Sequence, residues 1–158
     1  MTIDPDIFDR YLTAAREIGE RFFEDDPPIL RGAMSVAACS GFVICYRGGP
    51  GGIVLGRAVV GDLNDCYRSR YGKAAEAAAR DAFWSMRGIS RCPEGGAVKG
   101  KNHALGVGGL PPGVNELLAL CTLREEHQLP LGFFKAVIEG PDYAGIDLDR
   151  ILRPTARG

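Results

Sequence analysis

The sequence predicts a mixed α/β domain of the α+β kind, an antiparallel sheet flanked by helices. Two long stretches, residues 5–24 and 62–86, place apolar side chains three or four apart, the spacing of a helix with one buried face. Around them lie short apolar runs punctuated by glycine and proline, as expected of strands joined by tight connections. Three such runs in succession suggest an antiparallel meander.

The first helix is expected over residues 5–24, because Asp4 can serve as N-cap and Pro5 suits the first helical position. Ile7, Tyr11, Ala14, Ile18 and Phe22 fall on one stripe, and Asp25-Asp26-Pro27-Pro28 ends the helix. Strands follow at 34–39, 42–47 and 53–60. The connection Gly48-Gly49-Pro50-Gly51-Gly52 suits a hairpin or a flap over a ligand; it lacks the Gly-Lys-Ser/Thr ending that would cradle phosphate.

In the second helix, residues 62–86, the expected stripe is Leu63, Tyr67, Tyr71, Ala74, Ala78, Ala82 and Met86, with Gly72 a candidate interruption. Its alanines favour helix and are small enough to let it lie close against a sheet. Tyr67, Arg68, Arg70, Tyr71 and Lys73 give its first half a basic, aromatic character. After Gly88 come an irregular segment, a hairpin over 97–109, and a helix over 114–128 with Val114, Leu117, Leu118 and Cys121 inward and Pro130 as its stop. Residues 131–139 read as a short final strand.

A chain of 158 residues is long enough to bury a core without crosslinks, and it divides into a single domain, 1–140, and a tail, 141–158. In that tail Ile146, Leu148, Ile151 and Leu152 are apolar while Arg150, Arg153 and Arg157 are basic, so it packs on its own domain or on a partner subunit. A homo-oligomer is expected. A formal net charge of -1 argues against a nucleic-acid surface, and no apolar run reaches membrane-spanning length. A cytoplasmic location follows as an expectation. The five cysteines are odd in number and widely spaced, which suits reduced thiols.

The site expected from the residues lies at Ala104-Leu105-Gly106-Val107-Gly108-Gly109, where glycines weaken a strand and so mark a close approach by another backbone or by a ligand. A phosphate nest is disfavoured, because Pro111 and Pro112 remove two backbone donors where it should be richest. Beside the strand, His103 is a candidate acid/base or ligand. His127 suits the negative pole of a helix instead. With only two histidines, far apart, no metal site is expected. Cys66 and Cys92 are the thiols to test as nucleophiles, since a nearby base can generate the thiolate.

The order of elements resembles the GlcG-like haem-binding family, the haem utilisation or HbpS-type proteins. The likeness rests on the N-terminal helix, Ser35-Val36-Ala37-Ala38-Cys39 to Tyr46-Arg47, Lys73-Ala74-Ala75, Glu94-Gly95-Gly96 leading to Leu105-Gly106-Val107-Gly108-Gly109, and Asn115-Glu116. It covers about two-thirds of the chain. The segment 48–60, Pro111-Pro112 and the tail beyond Leu131 depart from it.

The resemblance implies a profilin-like sandwich that binds haem or another planar or carboxylate-bearing small molecule and assembles into oligomers. Under that expectation the ligand lies between the Gly-rich strand and the Tyr67/Tyr71 helix. Arg47 or Arg68 is the carboxylate partner, His103 an axial or hydrogen-bonding group, and Gly106 and Gly108 the points of close approach. The second expectation is a cofactor-independent biosynthetic or catabolic enzyme, with His103 as acid/base and Cys66 or Cys92 as nucleophile.

Overall fold

The computed structural model of the protein describes residues 6–24, 41–47, 53–60, 65–101, 103–110, 113–140 and 143. Nine elements follow in order: α1 (Ile7–Glu24), β1 (Gly41–Arg47), β2 (Ile53–Val60), α2 (Asp65–Trp84), β3 (Ile89–Cys92), β4 (Gly95–Lys99), β5 (Ala104–Gly108), α3 (Val114–Glu125) and α4 (Leu131–Ile138). The strands form one sheet in the order β2-β1-β5-β4-β3, antiparallel throughout. Helix α2 lies on one face, and α1 and α3 on the other. The α+β class, an antiparallel sheet flanked by helices, is therefore the observed one.

The two faces are built from different side chains because strand residues alternate between them. On the α2 face, register pairs Gly95 with Gly108, Ala97 with Gly106 and Lys99 with Ala104. Five of those six positions are glycine or alanine, and α2 answers with Ala75, Ala78, Ala79 and Ala82, all buried. Small residues on both surfaces let the helix backbone settle directly on the strands. On the opposite face Val98, Leu105 and Val107 meet Tyr11, Leu117 and Leu118 in the larger core. There Gly96 gives room to the start of α3: a Cβ on it would stand 2.8 Å from the Glu116 nitrogen.

Several sequence expectations shift. The buried stripe of α2 is Ala75, Ala78, Ala79 and Ala82, while Met86 lies beyond the helix and is fully exposed, and the helix runs through Gly72 unbroken. The irregular segment after Gly88 contains the edge strand β3, and the hairpin it joins begins at Gly95. Residues 131–139 are not a strand. Leu-Gly-Phe-Phe-Lys-Ala-Val-Ile forms α4, with Phe134 and Ile138 buried at helical spacing, and short apolar runs do not distinguish the two periods by themselves.

Helix α3 stops at Glu125, short of Gln128. Its end is a Schellman motif: Gln128 N–H donates to Leu123 at 2.8 Å and His127 N–H to Arg124 at 3.0 Å, with His127 at φ 58°. Pro130 consequently opens α4 instead of closing α3. The strand expected at 34–39 and the glycine-rich connection 48–52 lie outside the described residues. So do Ile146, Leu148, Arg150, Ile151, Leu152, Arg153 and Arg157 of the tail.

Candidate functional site

The close approach expected at the Gly-rich strand is real, and its occupant is α2. A Cβ on Gly106 would collide with the Ala75 carbonyl oxygen, and one on Gly108 with the Tyr71 carbonyl oxygen. Gly95 repeats the pattern, a Cβ on it standing 2.8 Å from the Ala74 oxygen, and Gly109, at φ +94°, lies against the Tyr71 ring. No planar ring fits between surfaces that leave no space for a methyl group, so these residues do not hold haem at Gly106 and Gly108.

The other expected residues are split between the two ends of the sheet, Arg47 sharing an end with His103, one step beyond the Tyr46–Ala104 pair. His103 packs on α1, its Nδ1 3.3 Å from the Tyr11 hydroxyl and the two rings edge to face at 5.9 Å. Cys92 ends β3, its Sγ 3.4 Å from the Gly95 carbonyl oxygen. Gly95 and Lys99 mark opposite ends of β4, about 13 Å apart at strand rise. Cys92 is at the first end and on the α2 side, whereas His103 follows the second end and turns to α1. They form no nucleophile and base pair. Arg47 closes β1, and Cys66, Tyr67 and Arg68 lie in the first turn of α2. Arg70, from the same basic stretch, pairs with Glu94, and that hydrogen bond holds the Glu94 carboxyl below the usual carboxylate range.

A different place gathers polar groups beside a cavity. The chain leaving α2 and entering β3 presents Arg87, Ile89 and Arg91 at alternate positions, and all three line a cavity of about 540 Å³. Its other wall is α4, through Phe133, Ala136 and Val137 at helical spacing, with Gly140 just beyond the helix end. The side chains of Glu116 and Tyr143 complete the lining. This volume is in the range that holds a small organic molecule.

Glu116 reaches the cavity because α3 begins close against Gly96. Asn115 fixes that start: its Oδ1 accepts the Leu110 N–H at 2.9 Å and its Nδ2 donates to the Leu110 oxygen at 3.1 Å, tying the start of α3 to the end of the β5 segment. The Glu116 carboxylate, 4% exposed, accepts a hydrogen bond from Arg91 Nε, while Arg91 remains 45% exposed and its Nη2 donates to the Tyr143 hydroxyl at 3.3 Å. Burial works against the Arg91 charge, but hydrogen bonds to Tyr143 and Glu116 outweigh it and raise its pKa. Burial pushes the Tyr143 phenol above its ordinary value, and the Glu116 charge adds to this.

Burial likewise raises the Cys121 thiol. Both groups release protons more readily in the unfolded chain, so their contribution to stability is complete below their unfolded values and lost as pH rises through them. Stability should therefore decline from roughly pH 8.5–10 upward. Urea unfolding across that window should show a shallower decline for Tyr143→Phe, and an unchanged slope would count against the buried phenol.

A second cavity of about 380 Å³ adjoins the first, since Arg87 and Phe133 line both. Lys99 and Lys101 also line it, and its described walls carry no carboxylate. Arg87, Arg91 and Tyr143 were not among the residues expected from sequence. The available signal was the alternation Arg87, Ile89, Arg91, which marks one face of a strand once that segment is read as extended.

Among the described residues, no three His, Cys, Asp or Glu side chains gather to hold a metal ion, and no helix is long and apolar enough to cross a membrane. No known protein family, curated protein or solved structure matches this chain.

Proposed function

We propose that the protein binds a small organic carboxylate in the groove between β3 and α4. The observation that carries this is the pairing of an apolar wall, Ile89 with Phe133 and Val137, with the exposed Arg87 at one end and the Arg91–Glu116–Tyr143 cluster at the other. Arg91 is already engaged by Glu116 and Tyr143, so Arg87 supplies the charge for the acid group. The GlcG-like resemblance supports small-molecule binding as the activity, while the groove relocates the ligand away from Gly106 and Gly108. Assembly into a homo-oligomer remains part of the proposal, supported by the exposed Trp84 and Met86; light scattering that finds a monomer would remove it.

Isothermal titration with hexanoate tests the binding site. An eight-heavy-atom ligand in such a groove should bind with a Kd on the order of 1 mM. Arg87→Gln should weaken it about five-fold, the size expected for an exposed ion pair. Absence of saturable binding to the unmodified protein would reject the proposal.

A further inference from the structure

Resting on that binding site, we infer that the site extends to a second cavity and takes an amphiphile with a dianionic head, such as a phosphate monoester of an apolar alcohol, more tightly than a monocarboxylate. The amphiphile's apolar part occupies the β3/α4 groove and its head the adjoining cavity. The two cavities divide the work by chemistry. The larger has one apolar wall and a carboxylate that Arg91 already neutralises. The smaller presents the charges of Arg87 and Lys101, with no carboxylate among its described lining.

Continuity between them is given by Arg87 and Phe133, which line both. A molecule lying along β3 therefore passes the Phe133 ring and meets Arg87 at the junction. Lys99 lines the smaller cavity, but its Nζ is held 4.6 Å from the centre of the Phe83 ring, which lines neither cavity, so its ammonium does not serve the head. Lys101 is exposed at the turn after β4 and adds an ammonium to the Arg87 guanidinium. A single carboxylate satisfies Arg87 alone. Two negative charges on one head use Arg87 and Lys101 together, and the gain is screened by salt because the cavity is open to solvent.

Hexyl phosphate and hexanoate share the same apolar chain, and the phosphate is dianionic at pH 8 because its second pKa is about 6. Titration of the intact protein at low salt should show hexyl phosphate binding roughly ten-fold tighter than hexanoate, with inorganic phosphate weaker than either. Lys101→Gln should reduce the preference for hexyl phosphate, and Lys99→Gln should leave it in place. Equal affinity for the two ligands, or a preference that survives Lys101→Gln, overturns the dianionic head while leaving the carboxylate site standing. Inorganic phosphate binding as tightly as hexyl phosphate overturns the amphiphile. Failure of both organic ligands to bind rejects this inference and the proposed function together.

Discussion

Gly106→Ala should destabilise the protein by roughly 3 kcal/mol, lowering the midpoint of thermal unfolding by roughly 6–12 °C. The new methyl would collide with the Ala75 carbonyl oxygen and crowd the Ala79 methyl, and neither neighbour can turn aside. Helix backbone cannot retreat without lifting Ala75, Ala78 and Ala79 from the sheet together. Gly108→Ala should behave alike, since its neighbour is the Tyr71 carbonyl oxygen. Gly132→Ala is the control: nothing lies within 4 Å of that position in α4, so the substitution should stabilise by about 0.5–1 kcal/mol through helix propensity. Thermal or urea unfolding of the three variants reads the difference. Were Gly106 the wall of a ligand site, its alanine variant would keep its stability and lose binding, which is the reverse of the expected result.

Removing the guanidinium in Arg91→Ala should cost roughly 3 kcal/mol, because it leaves the Glu116 carboxylate buried without its cationic partner. The cost belongs to the stranded charge more than to the lost pair. The double variant Arg91→Met/Glu116→Leu should accordingly recover most of the stability, to within about 1 kcal/mol of the unmodified protein. A double-mutant cycle from urea unfolding measures this coupling. If Arg91→Ala changes stability by less than about 0.5 kcal/mol, water reaches Glu116 and the cluster has no structural weight.

Helical and strand periodicity made most of the fold legible. The Ile7, Tyr11, Ala14 and Ile18 stripe is buried as its spacing requires, and β2 spans the apolar run at 53–60. What escaped sequence reasoning has identifiable causes. Residues 131–138 are too short and too uniformly apolar for a period to show, so α4 reads equally well as a strand. β3 is four residues long and, with Arg91 inside it and Arg87 just before it, resembles a loop until its partner β4 is known.

The site was half legible for a related reason. Glycines at 95, 106 and 108 announce a close approach, but sequence does not say which surface approaches; the alanines of α2, visible 20 to 30 residues earlier, are the complementary surface. Conversely, Glu116, Arg91 and Tyr143 stand far apart in the chain, and only the sheet order, with β3 at the edge beside α3 and α4, brings them together. His103 and Cys92 looked compatible in sequence and are separated by the length and the two faces of one hairpin.

Amide chemical-shift mapping during a hexanoate titration tests the location of the binding site most directly. Binding in the groove should move the signals of Arg87, Ile89, Arg91, Phe133 and Val137 in a saturable, concerted way, and leave Tyr71, Gly106 and Gly108 nearly unmoved. Saturable shifts centred on Tyr71, Gly106 and Gly108, with the β3 and α4 amides still, would contradict it.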